Sequence, residues 1–392
     1  MTTVAPISTK GKGVNQPTRG QARYAFTILL IINILNYADR YVLPAILPKV
    51  QHDLGMNNTE AGLIGSSFLL VYAFATLPLG IWADRSVRKN IVAICVALWS
   101  VATALAGFTR SFIQLFSVRA ILGIGEAGYA PASLSLLGDY FPKEQRGRIL
   151  SYWSAGTLIG TALGYVLGGF AADAFGWRWA FFLVGIPGLL AAFLIWRVVE
   201  PKRGAFDDAE DGTDRALTGH EHVAIGKDFW NSARKLFTIP TYWVLLIALI
   251  CSFFTIGGTS FWLPKYIGGT FHLSVSRAGT VSGLILVCGG LIGTVAGGWL
   301  ADLVQRYRPE GRLLIAALGF LIGAPLVLFA LLTQTLPLFI VEFIFAATFL
   351  SFCTGPLNAV IQDVITPEVR ATAIGLSLLL AHLLGDAASP SI

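Results

Sequence analysis

Apolar residues in this chain gather into long runs, and polar residues fall in the short gaps between them. A helix that crosses a lipid bilayer needs ~20 largely apolar residues. Runs of that kind occupy 24–48, 61–83, 90–108, 112–137, 149–171, 179–199, 242–266, 278–301, 313–333, 337–361 and 371–388. They predict an all-α membrane protein of about eleven spans joined by short loops. Residues 1–22 contain no apolar run that would serve as a signal peptide and read as a disordered tail. One long polar stretch, 201–240, holds Lys202, Arg203, Asp207, Asp208, Glu210, Asp211 and Asp214. As a linker it divides the spans into six (23–200) and five (241–392).

Composition supports lipid as the solvent. Charged residues make up 13%, hydrophobic residues 55%, and mean hydropathy is +0.69, where a soluble domain carries roughly 25% charge. The net charge of +6 does not indicate nucleic acid, because the basic residues are not clustered on a soluble face. Their placement sets orientation instead. The tail, the loops after even-numbered spans and the linker carry 21 Lys and Arg, against Lys49, Arg110, Arg178, Lys265 and Arg277 on the other side. The amino terminus and linker are therefore expected in the cytoplasm, and the spans in the cell (inner) membrane. Cys95, Cys251, Cys288 and Cys353 each lie within an apolar run, as small core residues would.

The two halves echo each other. Gly80, Asp84, Arg85 and Arg88 follow span two; Gly298, Asp302, Arg306 and Arg308 follow span eight, with the aspartates 218 positions apart. Asp139 and Arg146 lead into span five; Asp363 and Arg370 lead into span eleven, both offset by 224. Two echoes at nearly one offset indicate a duplicated six-helix unit, a plan common among secondary transporters. Twelve spans are expected on that plan, so the second half reads as lacking its last helix.

With the repeat and the loop motif in view, the chain resembles the major facilitator superfamily over nearly its whole length. Gly80-Ile-Trp-Ala-Asp84-Arg85-Ser-Val-Arg88-Lys89 is similar to that superfamily's signature loop. Asn36-Tyr37-Ala38-Asp39-Arg40-Tyr41, and the stretch from Arg119 through Gly125-Glu126-Ala127-Gly128-Tyr129 to Gly138-Asp139-Tyr140-Phe141, resemble the Spinster branch. That resemblance implies two six-helix halves around a cavity lined by spans one and four, and export of lysophospholipids or sphingosine phosphates. Organic-anion symporters of the superfamily share the Asn-Tyr-x-Asp-Arg and Gly-x-x-Glu-Ala patterns, so proton-linked organic-anion symport is the alternative.

Charge inside a span is costly and usually faces a cavity or a partner. Four such residues stand out: Asp39, Arg40, Arg119 and Glu126. At 1.5 Å per residue, Asp39 lies roughly 15 Å from the outer end, with Arg119 roughly 12 Å and Glu126 roughly 22 Å deep. This predicts an Asp39–Arg119–Glu126 cluster. Burial and a nearby guanidinium act oppositely on a carboxyl's hold on its proton, so Glu126 and Asp39 read as proton carriers with Arg119 holding the pair. Arg119 would also take an anionic head group bidentately. The alternative is a buried salt bridge that only fixes helix register. Arg40, about 100° around the helix from Asp39, reads equally as an anion ligand or a helix anchor. The second half is poor in charge and rich in aromatics, Phe254 and Trp262 among them, and would suit the tail of an amphiphile. The expected binding residues are Arg40, Arg119, Glu126, Tyr129, Trp262 and Phe254.

At the cytoplasmic end, Asp84 can sit at the positive start of span eleven, and Arg88 can pair with a loop acid. Gly80, Asp84, Arg85, Arg88, Arg146, Asp302, Arg306 and Arg370 are thus expected to form a gate between the halves. Gly156, Gly160, Gly164 and Gly168 in span five, and Gly289, Gly293 and Gly297 in span eight, line single helix faces. Small residues at that period admit close helix approach. Since the family fold sets these two spans face to face, they predict a sliding contact between halves. Pro131, Pro264 and Gly355-Pro356 are expected kinks.

The five histidines, His52, His220, His222, His272 and His382, are not at zinc spacing, and neither a Walker loop nor a paired-His helix occurs. The sequence therefore predicts no enzyme, metal or cofactor. The expected protein is a monomeric secondary active transporter working by alternating access. Its partners would be protons, the lipid bilayer and an amphiphilic or anionic small molecule.

Overall fold

The computed structural model describes residues 17–206, 234, 236–365 and 367–392, apart from the side chains of Leu77, Asp84, Lys143, Gln362 and 367–372. Residues 1–16 and 207–233, most of the expected tail and linker, lie outside the described residues. Among those described, 11 helices are long and apolar enough to cross a membrane, as the apolar runs predict.

Local polar chemistry sets the helix ends. Span one runs Arg19–Leu54 and begins at a capping box: Thr18 Oγ1 accepts from the Gln21 N–H at 3.2 Å, and Gln21 Oε1 from the Thr18 N–H at 2.9 Å. Two of the amide groups left orphaned at a helix start are thereby satisfied. The helix thus begins inside the segment expected to be a disordered tail, which corrects that boundary. Asn57 and Glu60 form the same box at the start of span two, Asn58–Arg85. Span three is Arg88–Ala106, span five Lys143–Ala174, span six Trp177–Trp196, span seven Pro240–Thr270, span eight Val275–Gln305 and span nine Gly311–Leu332.

Spans four, ten and eleven are not uniform helices. Span four divides into Phe112–Ala127 and Tyr129–Tyr140 around Gly128. Pro131 has no N–H for the Ala127 carbonyl, so the break falls one turn before the proline. Span ten, Leu336–Leu350 and Thr354–Val364, is joined by a 3₁₀ turn at Ser351–Cys353, just ahead of the expected Gly355-Pro356 kink. Pro264 lies within the unbroken helix of span seven. Span eleven, Pro367–Leu380, widens into a π-helical turn at Ala381–Asp386.

The glycine stripes pack tightly, but each within its own half. A Cβ at Gly164 would lie 2.5 Å from the Ala38 carbonyl oxygen; Gly156, Gly160 and Gly168 meet Leu30, Ile34 and Val42, all on span one. On span eight, Gly289, Gly293 and Gly297 meet Ala347, Thr348 and Phe352 of span ten and its turn. The stripes therefore build the halves, which corrects their expected role as a sliding contact between them.

The halves meet elsewhere. Tyr165 Oη donates to the Ser260 carbonyl at 2.5 Å, and a Cβ at Gly279 would lie 2.7 Å from the Tyr165 carbonyl oxygen. Asp173 accepts from the Ser276 N–H at 2.8 Å and pairs with Lys49 at 2.7 Å. Lys265 Nζ donates to Gln51 Oε1 and Asn58 Oδ1, each at 2.5 Å. These contacts lie toward the end of the bundle where span one finishes and span two begins, here called the far end. The opposite, basic end carries Arg85, Arg88, Arg146 and Arg306.

Candidate transport site

The four charges within the first-half spans come together. Arg40 Nε and Nη2 both donate to Glu126 Oε2, at 3.3 and 2.8 Å, while Glu126 is fully buried and the Arg40 side chain is 19% exposed. Arg119 Nη1 stands 4.0 Å from Asp39 Oδ1, both deeply buried. The expected Asp39–Arg119–Glu126 cluster is thus two pairs. Arg40, not Arg119, is the hydrogen-bonded partner of Glu126. Arg119 is too enclosed to present a free fork to a head group, whereas Arg40 keeps solvent access.

Aromatic rings insulate the pairs. The Phe68 ring centroid lies 5.2 Å from the Arg40 guanidinium and 5.0 Å from that of Arg119. Tyr37 and Tyr72 sit 5.3 and 5.0 Å from Arg40. A ring face attracts a cation and sheds water, so Phe68 separates two like charges while favouring both. Phe68 and Tyr72, one helical turn apart on span two, escape sequence reading because aromatics there look like lipid-facing residues.

Asp39 has a further partner, the buried hydroxyl of Thr103 on span three, which donates to Asp39 Oδ2. The Asn36 side-chain amide faces the buried Glu126 carboxylate, and Arg119 Nε is buried without a hydrogen-bond partner among the described residues.

The second half reaches this cluster through His382. His382 Nδ1 lies 2.9 Å from Asp386 Oδ2 across the π-helical turn, and such turns often mark functional positions. The His382 ring stands edge-on to Tyr72 at 6.0 Å and to Phe253 at 5.0 Å. Tyr72 therefore touches both Arg40 and the opposite half. Asp386 carries the same signal as the first-half charges, an acid within the apolar run 371–388, but stands near the end of that run, where a charge passes for a loop residue.

Among the described residues, none of the other three expected binding residues, Tyr129, Trp262 and Phe254, hydrogen-bonds to the pairs. Tyr129 is buried between Trp99 and Trp153, its hydroxyl donating to Asn33 Oδ1 at 3.1 Å; it braces the break in span four. Trp262 donates to the Pro390 carbonyl at 3.1 Å and packs on Phe261 near Lys265, at the far end. Phe254 is 37% exposed on span seven. Glu342 accepts from the Thr333 hydroxyl at 2.6 Å, which explains one acid in an apolar half.

At the basic end, Arg88 does not reach across the halves. It is 2% exposed, paired with Asp139 and, at 2.9 Å, with Glu200, and it donates to Ser135 Oγ at 2.9 Å. Glu200 also accepts from the Lys89 N–H at 3.0 Å, and Arg203 donates to the carbonyls of Ala83 and Ser86, each at 3.0 Å. The segment after span six thus folds back under the signature loop. In the second half Asp302 pairs with Arg312 at 3.2 Å, and Arg312 also pairs with Asp363 at 2.5 Å; Arg306, expected in the gate, is exposed. Arg146 donates to the Phe141 carbonyl at 3.2 Å. Arg85 is exposed and a Cβ at Gly80 would meet open space. The side chains of Asp84 and Arg370 lie outside the described residues. Replacing Arg88 with methionine is expected to destabilise the fold by roughly 3 kcal/mol, at the low end for breaking a buried ion pair because Glu200 keeps some solvent. A thermal melt in detergent reads this as a lowered midpoint.

A helical membrane bundle of repeated halves around buried ion pairs is the architecture of a large transporter class, and residues 29–390 match the Major Facilitator Superfamily. Spinster of Drosophila melanogaster is 28% identical over 379 residues, covering 94% of this chain; the chain spans 60% of that protein's length. Spinster homolog 1 of Xenopus laevis is 30% identical over 385 residues, covering 93% of this chain and 70% of that protein. A bacterial homolog of the human lysosomal transporter Spinster, solved in an inward-facing and unoccupied conformation, superposes with a TM-score of 0.84 at 27% identity. That alignment covers 96% of this chain and 82% of the other. The chain belongs to the major facilitator superfamily, in its Spinster-like branch, and is a multi-pass membrane protein.

Proposed function

We propose that the chain is a proton-coupled secondary transporter that works by alternating access and moves anionic amphiphiles of the lysophospholipid or sphingoid-phosphate kind. The observation that carries this reading is the Arg40–Glu126 pair, fully buried on the acid side and part-exposed on the arginine side. A proton arriving on Glu126 would release Arg40, and a phosphate would take its place as the guanidinium's charge-assisted partner. The Glu126 carboxylate and the substrate phosphate then compete for one cation, and protonation of Glu126 decides between them, which is a physical basis for coupling. Tyr72 joins Arg40 to His382 of the other half, so exchange at Arg40 bears on how the halves sit together.

The basic end faces the cytoplasm in this reading, following the Lys and Arg bias, and the membrane is the cell (inner) membrane. The far-end contacts through Lys265, Tyr165 and Asp173 then close the outer side, which makes the conformation inward-facing. The transporting unit is the monomer, with residues 23–200 and 241–392 as its two halves.

Proteoliposomes loaded with radiolabelled lysophosphatidylethanolamine test the substrate class. Efflux that an excess of unlabelled sphingosine phosphate inhibits, and gluconate does not, is the expected result. Efficient gluconate transport without lysolipid transport would favour organic-anion symport instead.

A further inference from the structure

We propose that Thr103 is a positioning residue that sets the proton affinity of Asp39. The inference rests on the reading of Asp39 as a proton carrier and adds a residue that neither the motifs nor the charge pattern single out.

Threonine hydroxyls within helices commonly bond back to the carbonyl four residues earlier. In this protein Thr76, Thr161, Thr255 and Thr280 do so, at 2.7, 3.0, 2.9 and 2.8 Å. Thr103 instead turns its hydroxyl away from its own helix and donates to Asp39 Oδ2. The packing holds it there. Span six presses on span three at Gly185, where a Cβ would lie 3.2 Å from the Thr103 Cβ and 3.0 Å from the Ser100 carbonyl oxygen. A β-branched side chain has few χ1 choices in a helix, and glycine at 185 leaves room for span six beside it. Thr103 is fully buried, so water does not substitute for its hydroxyl.

The charged groups around Asp39 are Arg119 and Glu126 from span four and Arg40 from its own helix. Arg119 stands at 4.0 Å, beyond hydrogen-bonding reach, and Asp39 Oδ1 has no hydrogen-bond partner among the described residues. Thr103 therefore makes the one hydrogen bond described for the Asp39 carboxylate. A hydrogen bond donated to the ionised form favours that form. With the hydroxyl removed and the shape kept, Asp39 holds its proton to higher pH.

The test is an infrared pH titration of the carboxyl C=O band in the purified full-length chain, with no transported ligand. The Asp39 band is identified as the one lost in Asp39→Asn. Thr103→Val is expected to raise its midpoint by about one pH unit, the size of a hydrogen bond to a charged group. Thr103→Ser, which keeps the donor, is expected to restore the midpoint to within a few tenths of a unit of the original. Thermal melts of both variants separate folding from titration. An unmoved midpoint in folded Thr103→Val would overturn the role of Thr103 while leaving Asp39 as a proton carrier. Loss of no titrating band in Asp39→Asn would remove Asp39 itself from proton chemistry, and the Thr103 proposal with it.

Discussion

Glu126→Gln is expected to break the link between transport and the pH gradient while leaving a folded protein. Glutamine is neutral like the protonated acid, and its amide oxygen can still accept from Arg40 Nε and Nη2, though more weakly than a carboxylate. Breaking a buried pair outright costs about 3–5 kcal/mol. The retained acceptor and the 19% exposure of Arg40 keep the loss here well below that range. A pH difference of one unit is worth 1.36 kcal/mol per proton, so one coupled proton displaces the substrate distribution by up to about tenfold per unit. In Glu126→Gln the distribution is expected to stay near unity at every imposed gradient, although exchange of lysolipid across the membrane continues. Flux assays with and without a gradient, run beside a thermal melt, check this. A gradient response equal to that of the unaltered protein would remove Glu126 from coupling.

Gly279→Leu is expected to hold the far end open. The glycine lets span eight lie against the Tyr165 backbone, with a Cβ position 2.7 Å from its carbonyl oxygen. Backbone on one side and a helix on the other leave no flexible neighbour to yield. A leucine there acts as a wedge between halves rather than within one. Its strain is relieved when the far end separates, so the equilibrium shifts instead of the fold failing. Moving a two-state equilibrium from 1:99 to 99:1 takes about 5.5 kcal/mol, and overpacking supplies roughly 1–3 kcal/mol. A shift of one to two orders of magnitude in the ratio of states is therefore the expected size. Distances between spin labels placed at residues 57 and 272, across the far-end loops, would lengthen in the variant. The contrasting substitution Gly164→Leu wedges span five from span one inside a single half. It is expected to lower stability without lengthening that distance.

These two glycines also mark how far sequence reading reaches. A four-residue glycine period announces that another helix comes close, and span five honours it along Gly156, Gly160, Gly164 and Gly168. The period does not say which helix approaches, and here it is span one rather than span eight. The same limit applies to the ion pairs. Charges in apolar runs identify Asp39, Arg40, Arg119 and Glu126 because each needs a partner in a membrane. Helical geometry puts Arg40 about 100° from Asp39, yet a long flexible side chain reaches around its helix, so pairing is decided by packing. Arg88 is legible as a charged loop residue. Its burial depends on Glu200, Pro201 and Gly204 folding back beneath it, and such polar residues after a span read as the start of a linker. Thr103 carries no sequence signal, since threonine is ordinary in membrane helices and only its neighbours show where the hydroxyl points.

The central claim is that a proton on Glu126 of the buried Arg40–Glu126 pair frees Arg40 for an anionic amphiphile. Its most direct test is the steady-state distribution of radiolabelled lysophosphatidylethanolamine across proteoliposomes holding the unaltered protein under imposed pH gradients. The account predicts a distribution that departs from unity in proportion to the gradient, up to about tenfold per pH unit for one proton. Transport that proceeds with a distribution of unity at every gradient would contradict it.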